Sequence, residues 1–338
     1  MITRRGFLAA TAASLAASSA TVARSIDRDA ARDFTIDCYP FSHFSAEDRA
    51  QRRFGALEFL GGLEMRSKDP EFGGISAGRI DPDGIGFVAL TDHAHWITGR
   101  LIEEGGALKR IAEARIAPLR NAAGRRLKDT RYFDSESLAR GGRYYYVGVE
   151  RTHDIFRFDF SARGIEARGE IIPTPAAMKK LNANQGIEAL GVIPAGSPFA
   201  GSLLALAEHA PRGSASRDMP GFIIGPKPGQ LSVRKIGDFD ITDLDFLPDG
   251  DLLVLERRFV PFFGLGFRIR RVPLGMIRPG AVLDGEVLIE AHLGQQIDNM
   301  EALMVHQDRS GRVILTLMSD DNFSILQRNL VLRFALAA

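Results

Sequence analysis

The chain is poor in the features that mark several protein classes. It has one cysteine, Cys38, and one tryptophan, Trp96. A single thiol excludes an intramolecular disulfide framework, so stability has to come from packing. A lone indole offers no aromatic platform for sugars. Neither sign of charge is in excess: 43 Lys and Arg against 42 Asp and Glu give a formal net charge of +1. That balance leaves no footprint for nucleic acid or an anionic membrane. No stretch approaches the ~18 consecutive apolar residues of a transmembrane helix, so the mature protein is expected to be soluble, without a membrane span. The chain also lacks a Gly-x-Ser-x-Gly elbow, a His-Glu-x-x-His pair and a Gly-Lys-Ser/Thr phosphate loop. What is plentiful is glycine, 35 in 338 residues, in a composition 45% hydrophobic and 25% charged. This fits a globular all-β protein with many turns.

The N-terminus, Thr3-Arg4-Arg5-Gly6-Phe7-Leu8, precedes a mildly apolar, Ala-rich stretch from Leu8 to Ala17 and small residues to Ala23. It resembles a twin-arginine signal peptide, too short in its apolar part to span a bilayer. The resemblance implies recognition of residues 1–23 by the twin-arginine export machinery and a periplasmic or secreted protein. Residues 24–53 then form an N-terminal extension and residues 54–338 a single domain, with no linker dividing it.

Internal repetition organises that domain. Five segments pair a short apolar strand with a turn and a stronger apolar strand. The first strands start near Gly74, Ser135, Gly186, Ile241 and Asn299, and the second cover Phe87-Leu90, Tyr145-Val149, Leu203-Ala207, Leu252-Leu255 and Val313-Leu317. Acids at the first-strand entries stand at 136, 188, 243 and 301, steps of 52, 55 and 58. Hairpins recurring at this period, with room for two outer strands each, indicate blades of a β-propeller. The competing arrangement is an open two-sheet sandwich. Phe156-Phe160 and Phe267-Val272 alternate at period two and suit third strands. Leu101 to Arg120 reads as partly helical, an insertion between strands. Five blades are visible as repeats; a sixth, closed by pairing N-terminal strands with the C-terminal region, is the preferred count.

In a hairpin, residues before the first strand and after the second lie at the same end. That pairs Glu136 with Glu150, Glu188 with Glu208, Asp243 with Glu256 and Glu301 with Asp320, while the first blade contributes Asp92 alone. Closure into a circle would gather nine carboxylates at one channel mouth, with Asp245 and Asp321 as two possible additions. Close carboxylates repel by roughly 1–4 kcal/mol per pair, so compensation is required. One candidate is a hard cation such as Ca²⁺, which takes six to eight oxygen ligands. The other is the base following four of the acids: Asp92-His93, Glu150-Arg151, Glu208-His209 and Glu256-Arg257. Metal ligation is assigned to Glu136, Glu188, Asp243, Glu301, Asp92 and Glu208, and catalytic roles to Glu150, Arg151, Glu256, Arg257 and Asp320. His93 and His95, at i, i+2, are a further metal candidate. Arg151, Arg257, Arg258 and Arg328 are candidates for phosphate.

The motifs Asn184-Gln185-Gly186-Ile187-Glu188-Ala189-Leu190, Asp243-Leu244-Asp245-Phe246-Leu247-Pro248-Asp249-Gly250, Leu255-Glu256-Arg257-Arg258-Phe259 and Ser319-Asp320-Asp321-Asn322-Phe323 resemble the phytase-like family of bacterial exported proteins, labelled as having esterase-like activity of phytase. The likeness runs from about Phe54 to the C-terminus. It implies a propeller and hydrolysis of phosphoesters or carboxyl esters, with Ca²⁺ as cofactor and a small-molecule ester as substrate. Propeller phytases carry several Lys in their pockets. Here no Lys follows the second-strand acids, so a highly phosphorylated inositol is not the expected substrate. A non-catalytic, metal-stabilised binding propeller and a lactonase or other carboxyl-ester hydrolase are the alternatives.

Overall fold

The computed structural model describes residues 28–260 and 264–337; the signal-peptide reading of residues 1–23 falls outside them. Period-two alternation becomes five sheets, each built on four antiparallel strands. Blade 1 runs Ile75–Ile80, Gly86–Thr91, His95–Glu104 and Ala107–Pro118, from the axis outward. Blade 2 has Ser135–Gly141, Tyr144–Val149, Asp154–Asp159 and Arg168–Ile172, and blade 3 has Ile187–Val192, Leu203–Ala207, Met219–Ile224 and Gly229–Val233. Blade 4 consists of Asp240–Phe246, Leu252–Val260, Gly264–Val272 and Glu286–His292. Blade 5 combines Asn299–Gln307, Val313–Asp320 and Asn329–Leu336 with the N-terminal Leu57–Arg66.

The protein is thus an all-β propeller of five blades rather than six. N-terminal strands do close the ring against the C-terminus: Leu57–Arg66 pairs antiparallel with Asn329–Leu336. They do so by completing the fifth blade, whose own C-terminal segment supplies only three strands. Asp37–Phe41 adds to the outside of blade 5 and Arg32–Asp33 to blade 1.

Closure is visible in the packing. Five buried apolar clusters each span two neighbouring blades. One joins Leu253 and Leu255 of blade 4 to Leu303 and Leu315 of blade 5, and another joins Leu63 and Met304 of blade 5 to Ala89 and Ile97 of blade 1. The remaining three link blades 1 and 2, 2 and 3, and 3 and 4. Inner strands crowd the axis, so small residues stand there; a Cβ on Gly191 would lie 2.3 Å from Leu244 Cδ1.

Leu101 to Arg120 is not helical but the outer hairpin of blade 1. Register shifts at Thr98/Arg100 and Ile102/Glu103 break strict alternation. Leu108, Ile111 and Ala114 are all buried, a three-residue spacing that imitates a helical stripe.

A polar strut crosses the channel. Arg79 of blade 1 reaches Asp243 of blade 4 with two parallel bonds of 2.9 and 3.0 Å. It also donates to the carbonyls of Leu190 in blade 3, Leu244 in blade 4 and Leu303 in blade 5. Asp243 accepts the Leu303 amide as well, so both charges are fully engaged where water cannot solvate them. Removing one partner from such a buried pair strands the other. Arg79→Met is expected to lower stability by about 3–5 kcal/mol, measured by urea denaturation; a loss below about 1 kcal/mol, the scale of an exposed pair, would contradict the strut's role.

Candidate functional site

Each inner strand begins with the same irregularity. Pairing with the second strand shifts between Ile75 and Ala77, Ser135 and Ser137, Ile187 and Ala189, Ile241 and Asp243, and Met300 and Ala302. One extra residue is therefore bulged out in every blade: Ser76, Glu136, Glu188, Thr242 and Glu301. A bulge bends the strand and re-aims a side chain. Directly opposite stand Thr91, Val149, Ala207, Glu256 and Ser319, and the next residues, Asp92, Glu150, Glu208, Arg257 and Asp320, form a second ring.

This register corrects the sequence reading of blade 4 by one residue at both rings. Thr242, not Asp243, occupies the bulge, and Arg257, not Glu256, occupies the second ring. Asp243 turns down the channel to Arg79. Glu256, fully buried, lies between Arg268 at 2.5 Å and Arg270 at 2.6 and 2.9 Å. Neither faces the mouth, so the metal role for Asp243 and the catalytic role for Glu256 are set aside. Asp245 accepts the Val305 amide and lines the opposite end of the channel with Arg79.

Seven carboxylates remain together. Asp92, Glu136, Glu150, Glu188, Glu208, Glu301 and Asp320 line one pocket of about 190 Å³ with Arg257, Ser76, Asn184, Asn299 and Asn322. Glu150, Glu188 and Glu208 each offer an oxygen within 4.8 Å of the others, a set that could hold a metal ion. The Asp92 carboxylate carries a buried oxygen without a hydrogen-bond partner. The Asp92 backbone N–H donates to the Gly74 carbonyl, and Gly74 is required there: φ is 60° and a Cβ would lie 2.1 Å from Asp92 Oδ1. Hydrogen bonds from the Glu150 N–H to the Asp134 carbonyl and from the Glu208 N–H to the Gly186 carbonyl repeat the device.

Of the bases that follow the acids, His93 stands 4.0 Å from Asp92, while Arg151 and His209 turn to other carboxylates. Arg151 is exposed and pairs with Asp134 at 2.6 Å, outside the pocket. His209 pairs with Asp240 at 3.2 Å. His93 stacks on Phe323 while His95 is buried beside Glu71, so the two imidazoles do not converge on an ion. Arg258 lies over Phe239, and Arg328 binds Gln296 and the Ile297 carbonyl. Asp321 bonds Asn329 and the Gly74 amide. Among the described residues Arg257 is the one cation lining the pocket, 3.1 Å from Glu301 and 3.4 Å from Glu208. Ser76, Asn184, Asn299 and Asn322 received no site role from the sequence, which followed charge, although Asn184 and Asn322 stand in the family motifs. Aligning the five blades on the bulge finds Ser76.

With all seven acids ionised and one guanidinium, the pocket would carry seven minus one, or six, negative charges. Burial, reinforced by neighbouring carboxylates, pushes Asp92 and Asp320 up to about 7 and Glu301 up to about 8, the last in spite of Arg257. Glu150 rises to about 7 by burial and the nearby Asp134. Burial raises Glu136 and Glu188 well above the usual range. A larger cavity of about 610 Å³ between blades 2 and 3, lined by Tyr146, Arg157, Ile172 and Pro175, holds no carboxylate.

Fold and pocket together define a five-bladed propeller with an acidic axial mouth. The family model described as phytase-like, esterase-like activity of phytase, matches residues 70–323, and the chain belongs to that family. No curated protein matches it. Among solved structures it is similar to an α-L-arabinofuranosidase from Podospora anserina (10% identity, 83% of this chain and 97% of that one, TM-score 0.49). Others are a PQQ-bound aldose sugar dehydrogenase from Streptomyces coelicolor (11%, 84% and 99%, 0.41) and glutaminyl cyclase from Myxococcus xanthus (12%, 79% and 92%, 0.40). Likenesses of this strength carry no argument about activity.

The raised carboxyls fix a pH dependence. Unfolded carboxyls titrate near about 4, so between about pH 4 and 8 the native state holds more protons than the unfolded chain and stability falls as pH rises. In chelator, melting temperature is expected to fall from pH 5 to 8, read by differential scanning calorimetry, most steeply around pH 5.5–6.5, where the unfolded acids are ionised and the native ones still protonated, and less steeply as pH passes the native values of about 7 and 8. A rise over that range would contradict the burial of uncompensated acids.

Proposed function

We propose that the acidic mouth binds a hard divalent cation, Ca²⁺ first, and hydrolyses phosphoesters of small molecules. The observation that carries this reading is the convergence of seven carboxylates and one guanidinium on a single opening. The donor set is all oxygen, which suits Ca²⁺ and not thiol-seeking metals. Glu150, Glu188 and Glu208 would hold the ion, with Glu136, Glu301 and Asp92 as further ligands. A bound cation supplies Lewis-acid polarisation of a phosphoryl oxygen and a water activated for attack.

The chain's own groups do the rest. Arg257, clamped between Glu208 and Glu301, directs its positive charge into the pocket, where it neutralises charge that develops on the phosphoryl group. Asp320, in the same pocket, is the group placed to give a proton to the leaving oxygen. Arg151, outside the pocket, has no catalytic role in this reading. Export by the twin-arginine route to the periplasm or exterior, motivated by Arg4 and Arg5, belongs to the same proposal. The family description, esterase-like, supports carboxyl-ester or lactone hydrolysis at the same centre as a second reading.

The test is a panel of phosphomonoesters, phosphodiesters and carboxyl esters with and without chelator. Chelator-sensitive turnover of a phosphoester is expected. Glu188→Gln should weaken Ca²⁺ binding by at least the 10–100-fold that loss of even an outer-shell partner costs, and Arg257→Ala should lower kcat/KM by about 10²-fold. Turnover of carboxyl esters alone selects the second reading. Ca²⁺ binding with no turnover on any substrate overturns both and leaves a binding propeller.

A further inference from the structure

The second strand of blade 4 differs from its counterparts. In blades 1, 2, 3 and 5 that strand ends at Thr91, Val149, Ala207 and Asp320, level with the second ring, whereas in blade 4 it continues past Arg257 to Val260. Phe259 is two residues beyond Arg257 and hence on the same face of the strand, about 7 Å further out. It is 66% exposed. Beside the start of the next strand of blade 4, Leu293 lies against Gly264 and is 64% exposed.

Blade 5 repeats the step from polar to apolar. Asn322 lines the pocket, and three and four residues later Ile325 and Leu326 are 101% and 88% exposed. Arg328 ties this loop to the segment that follows Leu293, through Gln296 and the Ile297 carbonyl. Four exposed large apolar side chains therefore belong to two adjacent blades, 4 and 5. Exposed apolar surface grouped beside a site marks a binding surface. The corresponding turns of blades 1 and 2, residues 92–94 and 150–153, carry His93, with Phe323 of blade 5 laid over it, and Arg151. Such one-sidedness suits a single chain laid across the rim rather than a flat bilayer, which would meet the whole face.

We propose that the substrates are amphiphilic: a compact anionic head enters beside Arg257, and an attached alkyl or aryl chain lies along Phe259, Leu293, Ile325 and Leu326. This rests on the phosphoester reading of the pocket and names its substrate class.

The experiment titrates methyl-, butyl- and octylphosphonate, whose C–P bond phosphoester hydrolysis does not cleave, below their critical micelle concentrations, into Ca²⁺-loaded full-length protein by calorimetry. Affinity is expected to rise roughly twofold to fourfold for each methylene that leaves water. In the double variant Ile325→Ser, Leu326→Ser the rise over the series should fall by at least about tenfold, with methylphosphonate binding unchanged. Methylphosphonate binding without a chain-length rise, or an undiminished rise in the variant, overturns the apolar rim and leaves the pocket reading intact. Failure of every phosphonate to bind overturns both. Capture by neutral phosphatidylcholine vesicles, or a dimer that the double variant dissociates, in place of a chain-length rise would assign the surface to a bilayer or to a second copy and overturn the proposal.

Discussion

One inserted residue at the start of each inner strand decides what the axis of this protein presents. Without the bulge, strict alternation would send those side chains into the cores between blades. With it, the residues at 76, 136, 188, 242 and 301 lean toward the channel mouth, and the residues after the second strand meet them from the side. The site is thus a consequence of backbone register repeated five times, with amino-acid type varied on a fixed geometry. Blade 4 shows the variation most clearly. Its Thr242 and Arg257 occupy positions that blades 2, 3 and 5 fill with carboxylates.

Charge is distributed along the channel in two layers with opposite solutions. Lower down, Arg79 and Asp243 neutralise each other and saturate their remaining capacity with backbone groups from three blades. That layer is closed and structural. At the mouth, seven acids face one guanidinium, and among the described residues no further cation lines the pocket. A fold that places compensation in one layer and withholds it in the next leaves the upper layer to protons or to an external cation. The strain therefore sits where a ligand can relieve it, as expected of a binding site.

Much of the fold was legible in the sequence, because the cues were local. All five hairpins fall where alternating apolar residues and turns place them, and Asp154–Asp159 and Gly264–Val272 are third strands as expected. Blade count was less accessible: closure depends on a partner more than 250 residues away, and Leu57–Arg66 carries no mark of the blade it will join. The outer hairpin of blade 1 was hidden by its bulges. The site was partly legible for the same reason. Acid spacing found the carboxylates of blades 1, 2, 3 and 5, but in blade 4 Asp243 and Glu256 each sit one position from the ring, and counting charges could not detect a one-residue slip. Their true partners, Arg79, Arg268 and Arg270, lie on other strands.

The central claim is that the mouth is a cation site built from several blades. It is tested most directly by anomalous diffraction from crystals grown with excess Ca²⁺. The account predicts an ion peak in the axial pocket, about 2.3–2.6 Å from carboxylate oxygens of Glu150, Glu188 and Glu208. A pocket without any peak, while the crystal holds Ca²⁺ elsewhere, would contradict it.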